Sequence, residues 1–180
     1  MKKKLLILDR DGTLNLDIDG YSHNIRSCFL FDDVYKLFSS IDTLINICVV
    51  TNQSGIGRGY FTSLEMQKFN EKINFLIRSK TKHKGISKFF FCPHLPSDDC
   101  ECRKPKKKLI IDALDFFNCD AKEALLIGDK ESDYLAGVNA GVESLLLIRS
   151  AKEYQLKILK SKYNITHSLD SRVCQKMLFI

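Results

Sequence analysis

The stretch Lys4–Asn15, "KLLILDRDGTLN", carries four consecutive apolar residues that stop at Asp9, a second carboxylate at Asp11 and a glycine at position 12. A short unbroken apolar run of this kind reads as a strand buried on both faces, the pattern of a parallel sheet. Four further runs match it: "INICVVT" (Ile45–Thr51), "KFFFC" (Lys88–Cys92), "ALLIGD" (Ala124–Asp129) and "ESLLLI" (Glu143–Ile148). Segments of helical period lie between them. The alternation predicts an α/β, doubly wound, mainly parallel sheet that receives ligands at the carboxyl ends of its strands. Asp9, Thr51, Cys92 and Asp129 each end a strand, so four polar residues converge on one crevice.

The clearest helix follows Thr62, which has capping-box spacing to Glu65, with Met66, Phe69, Ile73, Leu76 and Ile77 on one face. Others are expected over 107–117 and 131–140, the latter stopped by Gly141. The tail 151–180 reads as a helix through Tyr154, Ile158 and Leu159, a short turn or strand near Ile165, and a last amphipathic turn. No internal repeat or second domain is visible, and residues 1–180 are expected to form one unit.

A chain of 180 residues can bury a substantial core. With nine glycines and three prolines, long linkers are not expected. The formal charge of +6 points to an anionic partner without naming one. Seven cysteines are an odd number, which argues against a disulfide framework. The apolar run before Asp9 is shorter than the roughly seven residues of a secretion signal, and no run approaches the ~20 residues that span a bilayer. A cytoplasmic protein with reduced thiols, no membrane contact and a monomeric state is expected.

Asp9 and Asp11, two apart at a strand exit, allow one carboxylate to face a substrate while the other exchanges protons. They equally suit a polar turn built on Gly12. "GDKESD" ends another strand with Asp129 and adds Lys130 and Asp133. Asp129 can approach Asp9, a pair suited to Mg²⁺ with waters and phosphate oxygens. Alternatively Asp129 or Ser132 caps the helix that follows. "VVTNQSGIGRGYF" (Val49–Phe61) offers a hydroxyl, an amide and a glycine-rich loop whose N–H groups could meet an anion; a flexible loop with a solvated Arg58 is the plainer reading.

"CPHLPSDDCECRKP" (Cys92–Pro105) gathers three cysteines and a histidine. Cys92, His94, Cys100 and Cys102 supply a complete tetrahedral Zn²⁺ shell with no open position, hence a structural site; a disulfide or chance clustering is the lesser alternative in a reducing compartment. It clamps a loop that carries Arg103 and Lys104 to the strand ends. Cys28, Cys48, Cys119 and Cys174 lack ligand spacing and read as small packing residues. His23, in the loop after the Asp pair, could touch substrate, whereas His83 and His167 read as ordinary. The basic runs Lys80–Gly85 and Lys104–Lys108 read as solvated helix ends rather than nucleic-acid contacts.

"DRDGTLN", "TNQSGIGRGYF", "CRKP" and "GDKESD", in this order and at these strand positions, resemble the haloacid dehalogenase superfamily of phosphotransferases over about 4–148. With the zinc loop, the chain resembles the D-glycero-D-manno-heptose 1,7-bisphosphate phosphatases and the related histidinol-phosphate phosphatases. The resemblance implies that Asp9 is the nucleophile and Asp11 the general acid/base. It places Mg²⁺ on Asp9, Asp129 and the Asp11 backbone carbonyl. Thr51 and Lys104 would grip the phosphoryl oxygens. A sugar phosphate would be recognised by Asn52, Gln53, Ser54, Arg58, Arg103 and Lys130 and by the segment 17–21, with Asp17, Asp19, Gly20 and Tyr21. The gaps between motifs are too short for the cap domain that many members of the superfamily carry.

Two readings compete with a heptose-bisphosphate phosphatase. The compact zinc loop favours a histidinol-phosphate phosphatase, while "TNQSGIGRGYF" and "GYSHNI" favour the heptose enzymes. A zinc-stabilised nucleic-acid module or a DNA 3′-phosphatase would use the lysine clusters, but they lack interleaved aromatics and leave the Asp pair without a role.

Overall fold

The computed structural model describes residues 3–17 and 20–169. Asp19, Cys174 and the expected last turn of the tail lie outside the described residues. Six strands form one parallel sheet: β1 (Leu5–Leu8), β2 (Asn46–Asn52), β3 (Lys88–Cys92), β4 (Ala124–Gly128), β5 (Glu143–Leu147) and β6 (Ile165–Thr166). Their order is β3-β2-β1-β4-β5-β6. The chain therefore winds outward from β1 in one direction, then crosses back and winds outward in the other. The reversal falls between β1 and β4, and a crevice must open at their carboxyl ends, where Asp9 and Asp129 emerge.

Both sheet faces are covered, as the unbroken apolar runs require. On one face Leu6, Leu8, Ile47, Val49 and Ile127 pack under helices α1 (Asp32–Ser40) and α3 (Ser63–Lys80). On the other, Leu5, Ile7, Cys48, Val50 and Leu126 pack under α4 (Lys108–Phe117) and α5 (Glu131–Asn139). A single turn, α2 (Ser54–Gly57), follows β2, and α6 (Glu153–Lys162) precedes β6. The expected strands all form, and β6 sits where a turn or strand is expected. Helix α1 has no counterpart in the sequence reading, although Val34, Leu37 and Phe38 form one buried face at helical spacing. Its acids Asp32 and Asp33 lie in the first turn, where the helix dipole favours them.

The α3 capping box forms: Glu65 N–H donates to Thr62 Oγ1 at 3.2 Å, and Thr62 N–H donates to Glu65 Oε2 at 2.7 Å. The start of α5 differs from expectation. Neither Asp129 nor Ser132 caps it; Asp133, three positions inside, accepts the Lys130 N–H at 3.0 Å. Gly141, with φ of 75°, stops the helix as expected.

His83, beyond α3, is 3 % exposed and packs edge-on against Phe38, with ring centroids 5.2 Å apart. Its Nδ1 accepts the Gly85 N–H at 3.0 Å, and its buried Nε2 has no partner. Burial, aided by Lys84, lowers its pKa, so the neutral ring is favoured in the folded state. Because the unfolded ring titrates near ~6.5, folding costs more as pH drops through that value. His83→Gln keeps an acceptor for Gly85 but cannot be protonated. Between pH 7.5 and 5 its melting temperature should fall less than that of the native protein, and parallel melting curves across that range would exclude this role.

Candidate active site

The crevice is organised around a buried cation. Lys104 is 4 % exposed, and its Nζ lies 2.7 Å from Asp9 Oδ1 and 2.6 Å from Asp133 Oδ1 and donates to the Val50 carbonyl at 2.6 Å. An ammonium has three N–H bonds, and three acceptors use them all. Burial opposes its charge, but Asp133 and Asp9 outweigh that and raise the lysine pKa. Asp9, buried just past β1, has its carboxyl pushed up to about 7. Burial is the main cause; Lys104 opposes it, while Asp133, Asp129 and Asp11 add to it. Burial and Asp133 raise Asp129 as well.

Oxygens of Asp9, Asp129 and Asp133 lie within 4.8 Å of one another. The three do not play the same part. Both Asp133 oxygens are committed, one to Lys104 and the other to the Lys130 N–H. Asp9 and Asp129 keep acceptor capacity facing each other, with more negative charge than Lys104 offsets. A divalent cation held by two carboxylates and further oxygens relieves that crowding, so the donor set fits one.

Close backbone approach sets these positions. Gly12, at φ of 84°, lies so near the Asp129 carboxyl that a β-carbon there would overlap it. Gly128 stands in the same relation to Asp133. Thr13 Oγ1 donates to Asp129 at 3.3 Å. From the end of β5, Arg149 donates to the carbonyls of Gly12 (3.4 Å) and Thr13 (2.8 Å), pairs with Asp33 at 2.6 Å and lies 3.8 Å over the Phe31 ring.

Asp11 occupies a different setting. Its carboxylate accepts from Arg10 Nε at 3.0 Å and Nη2 at 2.9 Å, from Asn15 at 3.0 Å and from Gln53 at 2.7 Å. Burial would raise its pKa, but Arg10 and the two amides hold it below the usual carboxylate range. Gln53 also donates to Thr51 Oγ1 at 2.9 Å, so the amide expected at the substrate cradles Asp11 and Thr51. Asn52 is committed too. It donates to the Lys104 carbonyl and accepts the Lys104 N–H, both at 3.1 Å.

The glycine-rich loop is not an open set of donors. The N–H groups of Ile56, Gly57, Arg58, Gly59 and Tyr60 bond to carbonyls of the loop itself or to Pro93, which corrects the anion-cradle reading at those positions. Ser54 opens α2 and is half-buried, while Arg58 is exposed at its end. Arg103 donates to the His94 carbonyl at 3.3 Å. Lys130 is exposed, and its charge is favoured by Asp9, Asp129, Asp133 and Asp17 against the cost of partial desolvation. In the first loop, Asp17 accepts from Ser22, Gly20 takes a φ of 75°, and Tyr21 meets Tyr60 edge-on at 4.9 Å. Leu16, Tyr21, Ser22, His23 and Tyr60 are among the residues lining a cleft of about 320 Å³. His23 lies stacked on Phe61 at 4.8 Å.

Cys92, His94, Cys100 and Cys102 come together as the spacing requires. The separations are 3.6 Å for Cys92–His94, 3.5 Å for Cys92–Cys100, 3.2 Å for His94–Cys102 and 3.6 Å for Cys100–Cys102. Ligands about 2.0–2.3 Å from a tetrahedral ion lie about 3.3–3.8 Å apart, so the four atoms already approximate such a shell. The Gln53 N–H to Cys92 carbonyl bond (2.7 Å) and the Asn52–Lys104 pair fix the loop to β2.

Sequence reading did not single out Arg10, Asn70, Arg149 or the pairing of Asp133 with Lys104. Asn70, a polar residue among the buried positions of α3, and an arginine between two aspartates were the visible signals.

The family model described as haloacid dehalogenase-like hydrolase matches residues 72–147. A D-glycero-beta-D-manno-heptose-1,7-bisphosphate 7-phosphatase from Haemophilus ducreyi is 37 % identical over 84 % of this chain and 86 % of its own length. The corresponding alpha-named enzyme of Campylobacter jejuni is 36 % identical over 94 % of this chain and 99 % of its own. The chain belongs to the heptose-bisphosphate phosphatase family of haloacid dehalogenase-like hydrolases. The same fold is seen in a D,D-heptose 1,7-bisphosphate phosphatase from B. bronchiseptica complexed with magnesium and phosphate, with a TM-score of 0.82, 24 % identity and coverage of 97 % of both chains.

Crowding at Asp129 should be measurable in this family member without turnover. Asp129→Asn removes one half-buried negative charge that Asp133 crowds and that the neighbouring Lys130 offsets only in part. In chelator-treated protein it should raise the melting temperature by about 2–4 °C, the shift that ~1 kcal/mol gives in a chain of this size. An unchanged or lower melting temperature would contradict the charge-crowding account.

Proposed function

We propose that this protein hydrolyses the C7 phosphate of D-glycero-D-manno-heptose 1,7-bisphosphate through a phospho-Asp9 intermediate. The observation that carries the mechanism is the buried Asp9–Lys104 pair at the switch point of the sheet, with Asp129 alongside. Asp9 is the nucleophile, Lys104 and Thr51 hold the phosphoryl oxygens, and residues 1–180 act as one phosphatase unit. The substrate reading rests on the relatives of both anomeric names.

In the first step a bond forms between an Asp9 oxygen and phosphorus as the phosphorus–alkoxide bond breaks. Asp11, kept ionised in the empty site by Arg10 and the two amides, must carry a proton once substrate is bound, taken from solvent or from the attacking water of the preceding turnover, and it delivers that proton to the departing alkoxide. In the second, water attacks phosphorus, its proton passes to Asp11, and the Asp9–phosphorus bond breaks to release phosphate and restore the carboxylate. Phosphate monoesters are among the slowest uncatalysed hydrolyses, and acceleration comes mainly from placing positive charge around the transferring group. Lys104 provides one such charge and must shift its share of bonding from Asp9 to the phosphoryl oxygens as Asp9 reacts. Asp9, Asp129 and the Asp11 backbone carbonyl would hold Mg²⁺, which when bound supplies further positive charge at those oxygens. Arg103, Lys130 and Arg58 are left to meet the second phosphate, while Asp17, Tyr21 and the first-loop cleft meet the sugar.

The test is phosphate release from the alpha and beta heptose bisphosphates and from histidinol phosphate, side by side. A single charge-assisted contact to the second phosphate is worth ~1.5–3 kcal/mol, so kcat/KM for a bisphosphate should exceed that for histidinol phosphate by at least ~10-fold. Equal or reversed values would transfer the protein to the histidinol-phosphate enzymes. Asp9→Asn should fold normally yet retain less than a few per cent of turnover, and higher activity would remove Asp9 as nucleophile.

Cys92, His94, Cys100 and Cys102 hold a structural Zn²⁺ in this reading. Purified protein should contain about one equivalent of zinc. Cys100→Ser should lose it, and activity with it, because the loop delivers Lys104. Protein prepared without chelator that contained no zinc would refute the assignment.

A further inference from the structure

Arg10 is the largest fully buried side chain of the molecule's described residues, and the proposed chemistry gives it no part. Its guanidinium makes a two-pronged contact with Asp11, donates from Nη2 to the Ser22 carbonyl at 2.6 Å and to Gln53 Oε1 at 2.9 Å, and from Nη1 to Asn70 Oδ1 at 3.1 Å. The Phe69 ring backs it at 4.9 Å. A buried arginine must have its charge and donors matched, and such a planar fork imposes direction as well as energy on a carboxylate. Here one fork joins two different things. One is the Asp11 carboxylate; the other is Ser22, part of the wall of the first-loop cleft.

From this geometry we propose that Arg10 is a positioning residue that ties the orientation of the Asp11 carboxyl group to the cleft wall at Ser22. The inference rests on the proposed role of Asp11 in proton exchange with the leaving alcohol. A leaving group seated in the cleft bears on the Tyr21–His23 wall, and Arg10 is the direct link from the Ser22 carbonyl to Asp11. Gln53 and Asn15 fix the other edges of the carboxylate but do not touch Ser22. Asn70, on α3, holds the far end of the guanidinium and so sets the angle of the fork.

Two substrates separate this role from a general contribution to folding. A sugar phosphate has a poor alkoxide leaving group that needs a proton and fills the cleft. p-Nitrophenyl phosphate releases a stable phenolate that needs no proton and leaves most of the cleft empty. The first chemical step is read as single-turnover phosphate transfer from heptose bisphosphate and as the burst of p-nitrophenolate. Arg10→Met should lose at least ~10-fold more on the sugar phosphate than on the aryl ester, and added guanidinium ion should recover part of the sugar-phosphate rate. Losses of equal size on the two substrates would overturn the proposal, since Arg10 would then act only through the fold.

If Arg10→Met does not fold, Asn70→Leu removes only the outer acceptor of the guanidinium. It should give the same selective loss, at least ~3-fold, while a ratio near one overturns the proposal. If the native enzyme prefers another alkyl phosphate, the substrate reading fails, and the comparison with that alkyl phosphate still decides the role of Arg10.

Discussion

A lysine ammonium without water must find acceptors in the protein, and the placement of Lys104 dictates much of this structure. Its three partners come from three separate parts of the chain: Asp9 after β1, Val50 in β2 and Asp133 in α5. Removing one partner from a buried pair typically costs ~3–5 kcal/mol, because the remaining charge stays uncompensated. The pair is therefore weak evidence for stability and strong evidence for a site. Asp9 and Asp129 accumulate more negative charge than one lysine neutralises, an arrangement that favours cation and phosphate binding over the stability of the empty protein.

Lys104 itself arrives on a loop with little apolar content. The attachments of that loop include the Cys/His cluster, the reciprocal bond of Asn52 to the Lys104 backbone, the bonds from the Gln53 and Gly57 N–H groups to the Cys92 and Pro93 carbonyls, and that from Asn139 to the Pro105 carbonyl. A metal held by that cluster, as proposed, would substitute ligand bonds for the hydrophobic burial that the loop's composition does not provide. The cost of ordering it is met locally, and the lysine is delivered to a fixed position without a helix or strand beneath it.

The fold was legible because parallel strands buried on both faces leave a pattern that side chains of one kind can write. The runs at Leu5–Leu8 and Leu125–Ile127 needed no tertiary information. Helix α1 was legible in principle, since Val34, Leu37 and Phe38 stand at i, i+3 and i+4, but over nine residues that is a single repeat of the pattern. At the site, Asp9, Asp129 and the Cys/His cluster were legible from their spacing at or just beyond strand ends. The partnership of Asp133 with Lys104 was not, since it joins residues that the sheet order alone brings together. Asn52 and Gln53 show the same limit from the other side. The resemblance implied substrate contacts for both; in the structure Asn52 bonds to the loop and Gln53 to Asp11, since amides shielded from water take up nearby polar partners.

The bonds from Arg149 to the Gly12 and Thr13 carbonyls have a consequence for motion. They fasten the turn after β1 to the end of β5 and, through Asp33, to α1. Turns at strand ends usually open by themselves, at little free-energy cost, and their amides exchange with solvent accordingly. This one must first break two bonds to Arg149, whose guanidinium is itself held in place by Asp33 and Phe31. The turn beside Asp9 is thus braced from β5 and α1 at once, and its local opening should cost more than at an unbraced strand end.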